Sequence, residues 1–226
     1  MKKAWIYLVM TLLSMTSCVE IIDDLKINSD GSGTFKYVVN LSWSKVKVNS
    51  VLALDSLDGK RVPSLDEIRT IITKYEEKLT TKEGISNVKV DVNYDDFILK
   101  FQCDFENVTS LQKAIREIAM EQKFSGNVEE LKHTWLVWDG QKLVRSVPTL
   151  TRQTTQLLEK EDLSELKNGK YSAITRFDRS IDHAENPLTA ISPSKQACRV
   201  MTNPYALINE LGILENTIYL VKGGEE

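Results

Sequence analysis

The chain has 226 residues, a formal net charge of −3, 42% hydrophobic and 27% charged residues. That length and apolar content suit one large domain, or two small ones, with a substantial core, and exclude a disordered chain. Its 29 basic residues are outnumbered by 32 acidic ones and form no basic block, which excludes nucleic acid as a partner, because phosphate neutralisation by Lys and Arg supplies most of that affinity.

The first predicted element is a leader. Lys2 and Lys3 supply positive charge, Ala4 to Leu13 a short apolar run, and Thr16 and Ser17 small residues directly before Cys18. This is the layout of a secretory signal. The apolar run is about 10 residues, against the roughly 20 that a membrane-spanning helix needs. Residues 1–17 are therefore expected to be removed, and 18–226 to form a single α+β domain.

The body alternates hairpins with helices. "VEIIDDLKIN" and "TFKYVVNLS" flank "SDGSG", whose glycines supply the positive φ values of a tight turn. A calcium loop does not fit that turn: with Gly31 at the sixth position, Lys26 and Tyr37 occupy the first and twelfth, where carboxylates are required. After a less regular segment from Trp43 to Val62, Ser64 and Glu67 stand in capping-box spacing. They open a helix whose Ile68, Ile71, Ile72, Tyr75 and Leu79 form one stripe. Val88, Val90, Val92 and Tyr94 alternate with polar residues, and Asp95 and Asp96 turn that strand into a second running through Phe97, Leu99, Phe101, Cys103 and Phe105. A second helix places Leu111, Ala114, Ile115, Ile118 and Ala119 on one face, with Thr109 or Ser110 as the expected cap.

The polar stretch "KFSGNVEE" makes 123–129 a candidate subdomain boundary. Beyond it, Asp139-Gly140 between apolar strands marks a third hairpin. A weaker helical pattern passes through Leu150, Thr154, Leu157 and Leu158. Strands follow at Tyr171 to Phe177 and around Ala197 to Met201. Asn203 and Pro204 open a short helix that Gly212 ends, and Ile213 to Val221 is the last strand. One-sided alternation predicts an antiparallel sheet built from successive β-hairpins, with amphipathic helices packed on one face.

No residue pattern points to catalysis or a bound cofactor. His133 and His183 are the only histidines, and neither has a second metal-ligand type at a recognised spacing. H-E-x-x-H, C-x-x-C and phosphate-binding glycine loops are absent. S-x-x-K occurs at Ser42, Ser110 and Ser192 without the S-D-N or K-T-G that accompanies it in acyltransferases. Adjacent carboxylates such as Asp23 with Asp24 point to opposite faces in a strand, and pairs such as Glu76 with Glu77 lie about 100° apart in a helix, so they suit a solvated surface better than an acid–base pair. Cys103 and Cys198 would be able to form a disulfide in an export compartment, whereas the alternation around Cys103 suits a small buried apolar residue. Trp135 and Trp138 differ by an odd number, so in a regular strand they face opposite sides. Trp138 is the candidate for an exposed interaction surface.

A cysteine directly after small residues resembles the lipobox of bacterial lipoproteins, with Met15 where leucine is commonest. The lipobox-like cysteine, the strand straight after it and the N-x-D-G-x-G turn from Asn28 to Gly33 together resemble bacterial envelope lipoproteins. More remotely they are similar to LppM-like lipoproteins. The resemblance covers Cys18 to about Ser42. It implies that Cys18 is the first mature residue and carries acyl chains such as palmitate. It also implies a place in the bacterial cell envelope, facing the periplasm or the cell surface, with the membrane as partner. Two functions are then open. One is a non-catalytic scaffold that docks an envelope protein through a sheet edge or Trp138; the alternative is a carrier of a lipid or other apolar ligand. A carrier requires an apolar-lined cavity, a scaffold a solid core and an exposed apolar patch. The scaffold is the leading expectation.

Overall fold

The structure, a computed structural model, describes residues 19–57, 59–121, 133–146, 166–210 and 212–222. Strand β1 (Glu20–Ile27) pairs antiparallel with β2 (Gly33–Asn40) in the expected hairpin, Glu20 opposite Asn40 and Ile27 opposite Gly33. The turn depends on two glycines. Gly31 has φ +86°, and a Cβ on Gly33 would stand 1.9 Å from the Lys26 carbonyl oxygen.

The less regular segment holds structure that the sequence pattern does not reveal: a 3₁₀ turn at Ser42–Ser44, helix α1 (Lys45–Leu52), and the two-residue strands β3 (Ser56–Leu57) and β4 (Lys60–Arg61). Helix α2 (Leu65–Thr80) starts with the predicted capping box of Ser64 and Glu67. Its apolar stripe is shallow: Leu79 is buried and Ile71 stays exposed. Strands β5 (Ile85–Asn93) and β6 (Ile98–Phe105) form the second hairpin. Helix α3 (Val108–Glu121) is capped by Asn107, whose Oδ1 accepts the Ser110 N–H at 2.9 Å. The cap thus lies two or three residues before the expected Thr109 or Ser110, because the helix begins at Val108.

Strands β7 (Leu136–Trp138) and β8 (Lys142–Arg145) flank the Asp139-Gly140 turn, where Asp139 Oδ1 accepts the N–H groups of Gln141 and Lys142 at 2.9 and 2.8 Å. Then come β9 (Lys170–Phe177), β10 (Ile181–Ala184), β11 (Ala190–Ile191), β12 (Ala197–Thr202), α4 (Pro204–Asn209) and β13 (Asn216–Leu220). Asn203 caps α4, accepting the Ala206 N–H at 2.8 Å, with Pro204 as its first residue. The candidate boundary at 123–129 and the weak pattern from Leu150 to Leu158 lie outside the described residues, as do residues 1–17 and Cys18.

The fold is α+β. A seven-stranded sheet runs β11-β12-β9-β1-β2-β6-β5 and a four-stranded sheet runs β10-β13-β8-β7. Pairing is antiparallel except for β1 with β9, a parallel pair joining residues about 150 positions apart. Period-two alternation gives the larger sheet two unlike faces. Leu25, Ile27, Phe35, Cys103, Phe105 and Phe177 point one way, into a core completed by Leu111 and Ala114 of α3 and by Leu136, Leu143 and Ile218 of the smaller sheet. The opposite face is wet. There Asp24 pairs with Arg176, and Thr34 donates to Asp104. Gln112 of α3 closes the β7 edge: its Oε1 accepts the N–H groups of Trp135 and Leu136, and its Nε2 donates to the Leu136 carbonyl.

Candidate functional site

A buried ion pair joins the two sheets. The β1 alternation Ile21, Asp23, Leu25, Ile27 puts Asp23 on the core face, where it is 5% exposed. The Nη2 of Arg145, at the end of β8, donates to its Oδ2, which also accepts the Tyr171 hydroxyl at 3.0 Å. This corrects the surface reading of Asp23, while Asp24 does face solvent. The signal was present in the alternation; what the sequence does not show is Arg145, 122 positions away, as the partner. Burial, reinforced by the Asp23 charge, pushes the Tyr171 phenol well above its ordinary value, and the same causes raise Tyr37. Both shifts favour the protonated phenol, so Tyr171 remains a donor to Asp23 in a tie that links β1, β8 and β9.

Beside this tie lies an open cleft of about 620 Å³ with Arg145 in its wall. Glu185, Glu210 and Glu215 also line it, and polar or charged side chains outnumber apolar ones. Its asparagines are committed to the wall itself. Asn186 donates to the carbonyls of Ile213 and Glu215, and Asn216 Nδ2 donates to Thr189. Hydrogen bonds from Thr217 and Tyr219 hold the Glu185 carboxyl below its usual range. Val144, Pro187, Leu188 and Ile213 supply the apolar part of its wall. Among the described residues no cluster of three or more His, Cys, Asp and Glu is arranged for a metal ion.

The most exposed large apolar side chains lie elsewhere. Trp43 in the 3₁₀ turn and Val46 in α1 are 75% and 82% exposed, and Leu54 and Leu57 follow closely in sequence. The segment is fixed in place at its start: Leu41 N–H donates to the Phe97 carbonyl at 3.0 Å, and Lys45 pairs with Asp96 at 3.1 Å. Asn40, which leads into it, is the register partner of Glu20. No described helix is long and apolar enough to cross a membrane.

No family model matches the chain, and no curated protein matches it. Among solved structures it is similar to the folded domain of LppM from Mycobacterium tuberculosis. The likeness is remote, with a TM-score of 0.42 and 11% identity over 92% of each chain.

The residues singled out by sequence are scattered. Cys18 lies outside the described residues, but the ladder begins at once beyond it: the Val19 carbonyl accepts the Lys170 N–H at 2.7 Å. Cys103 and Cys198 are buried free thiols. They stand on β6 and β12 with three strands between them, a separation of roughly 19 Å against the ~7 Å limit for bridged Cα atoms, which corrects the disulfide expectation. Burial pushes Cys103 up to about 12 and Cys198 up to about 11, the latter despite the Arg145 charge nearby. Trp138 is not an exposed surface either. It is half-buried, stacked on Phe177 at 5.9 Å between centroids and set against Gly31. The alternation argument failed because Trp135 precedes β7. His133 bonds Ser146 at 2.8 Å, and His183 stacks on Tyr219.

Proposed function

We propose that the chain is a lipid-anchored protein of the bacterial cell envelope, attached to the membrane through Cys18, whose folded body acts by contact rather than by catalysis. The observation that carries this reading is the junction between leader and fold. The lipobox-like cysteine stands two residues before β1, and Val19 is already bonded into the sheet. A cut before Cys18 leaves every described strand whole, and acyl chains there would hold the body at the membrane surface with almost no tether. Each chain contributes about 0.8 kcal/mol per buried methylene, and more than one is needed for stable anchoring.

Between scaffold and ligand carrier, the scaffold is better supported. The core is continuous from the larger sheet through α3 to the smaller sheet, the described cleft has more polar than apolar side chains in its wall, and Trp43 and Val46 are strongly exposed. A scaffold needs these features and a carrier of an apolar ligand does not. The anchor is tested by growing the bacterial host with a labelled fatty acid: the wild type takes up the label and Cys18→Ala does not. Equal labelling of both would overturn the anchor. Native mass spectrometry of the purified protein tests the carrier, since a reproducible lipid adduct beyond the anchor would displace the scaffold.

A further inference from the structure

We propose that the end of the larger sheet bearing Trp43 and Val46 is a membrane-contact face, pressed into the headgroup region of the phospholipid bilayer that holds Cys18. The inference rests on the anchor reading and adds an orientation to it. Glu20 and Asn40 are register partners on neighbouring antiparallel strands, so their backbones stand about 5 Å apart at the same end of the sheet. The chain before Glu20 and the chain after Asn40 therefore leave from one place. Cys18 is two residues away in one direction and Trp43 three in the other, which limits Trp43 to about 10 Å from Asn40. Cys18 and Trp43 therefore belong to the same end of the sheet, and Trp43, at 75% exposed, presents more of its side chain there than Met201 of β12, at 47%.

The chemistry of this end suits that neighbour. Tryptophan places an apolar ring and a polar N–H together at the boundary between headgroups and acyl chains, and Val46 lies about one helical turn along. Lysines flank them: Lys45 and Lys47 in α1, Lys170 beside Val19, and Lys167 packed over the Tyr205 ring at 4.5 Å. Lys167 is held by the Tyr205 ring and Lys45 by Asp96, so the basic character of this end comes in good part from paired groups, and long lysine stems of this kind lie along apolar surface with their charges toward headgroups. Three acids share this end, Glu20, Asp95 and Asp96, of which Asp96 is paired with Lys45. The paired Lys45–Asp96 contact and the Leu41–Phe97 hydrogen bond hold the 3₁₀ turn against the β5–β6 turn, so Trp43 is presented by a fixed element.

The test uses the mature protein purified from bacterial membranes and reconstituted into vesicles of phosphatidylethanolamine and phosphatidylglycerol, with and without brominated acyl chains. Bromine quenches tryptophan only at contact range. The expected result is quenching of part of the emission, lost in Trp43→Phe, while Trp135 and Trp138 continue to emit unquenched. Val46→Glu, which places a charge in the contact, should reduce quenching while leaving thermal unfolding unchanged. Vesicle flotation after a high-salt wash separates the two ways of failing. Protein that floats but shows no bromine quenching overturns the contact face and leaves the anchor standing, and a protein crosslinked at position 43 would then identify a protein occupant. Protein that does not float overturns both. Quenching that persists in Trp43→Phe assigns the contact to another tryptophan and overturns the proposal.

Discussion

The two ends of the seven-stranded sheet are built from different chemistry. At the far end, polar side chains close the β1–β2 turn: Ser29 donates from its N–H and its hydroxyl to Asp178, both at 2.8 Å, and Asp30 accepts twice from Ser32. The tryptophan there, Trp138, is half-buried, stacked on Phe177 and set against Gly31. At the near end, where the chain enters at Val19, Trp43 is 75% exposed and the Lys45–Asp96 pair stands next to its turn. The difference concerns the surroundings of two tryptophans and not apolar exposure as a whole, since Val137 beside Trp138 is itself 48% exposed. Of the two rings, Trp43 is largely exposed and Trp138 is half-buried against Phe177.

The comparison is meaningful only if one cooperative body joins the ends, and the Asp23–Arg145 pair tests that most severely. Removing one partner leaves a buried charge unpaired, so Asp23→Ala or Arg145→Met alone should lower unfolding free energy by about 3–5 kcal/mol in urea titrations. The double variant Asp23→Leu with Arg145→Met, which leaves no orphan charge, should recover most of the loss. If each single change cost under about 1 kcal/mol, the pair would be solvated and the sheets only loosely joined.

Next come the two tryptophans. Trp138→Ala removes a ring packed on Phe177 and should cost roughly 2–4 kcal/mol, near the lower part of the range for large aromatic truncations because the ring is half-buried. Trp43→Ala should stay within about 0.5 kcal/mol of wild type in solution. Equal losses in thermal or urea unfolding would erase the contrast between the ends.

Acid sensitivity should also be traceable to the far end. Hydrogen bonds from Asn87 and then Thr34 hold the Asp104 carboxyl below its usual value. For Asp178 burial pulls upward, but the Ser29 hydrogen bonds prevail and the net direction is down. Each native value is thus depressed below an unfolded value near 3.9. Their stabilisation is complete above that pH and is lost as pH falls through the native values. Urea midpoints should therefore fall as pH drops below about 4, and the drop should be smaller in a variant carrying Asp104→Asn and Asp178→Asn. An unchanged drop would remove these two groups from the account.

The smallest effect concerns the thiols. With burial raising Cys103 to about 12 and Cys198 to about 11, neither should react with a thiol reagent at neutral pH until the protein unfolds. Two fast-reacting native thiols would mean the core face is open to solvent.

Much of the fold was legible because its signals are local. The SDGSG and Asp139-Gly140 turns, the Ser64–Glu67 capping box and the Asn203-Pro204 start each reside within a few residues, and each formed as read. Helix α1 escaped notice because its apolar positions do not gather on one face. The parallel β1–β9 pairing and the two-sheet arrangement were hidden because they depend on residues far apart in the chain. The candidate site divides in the same way. Cys18 is a local sequence signal, whereas the exposure of Trp43 and the burial of Trp138 are set by what folds against them. Asp23 was readable on the apolar face of its strand, but only the structure supplies the arginine that permits it to be there.

The central claim is that the mature chain starts at Cys18 and carries lipid there. The most direct measurement is the intact mass, with N-terminal peptide sequencing by mass spectrometry, of protein recovered from the membrane fraction. The account predicts an N-terminal peptide beginning at Cys18 with added mass matching acyl groups. A peptide that begins elsewhere, or begins at Cys18 with an unmodified thiol, would contradict it.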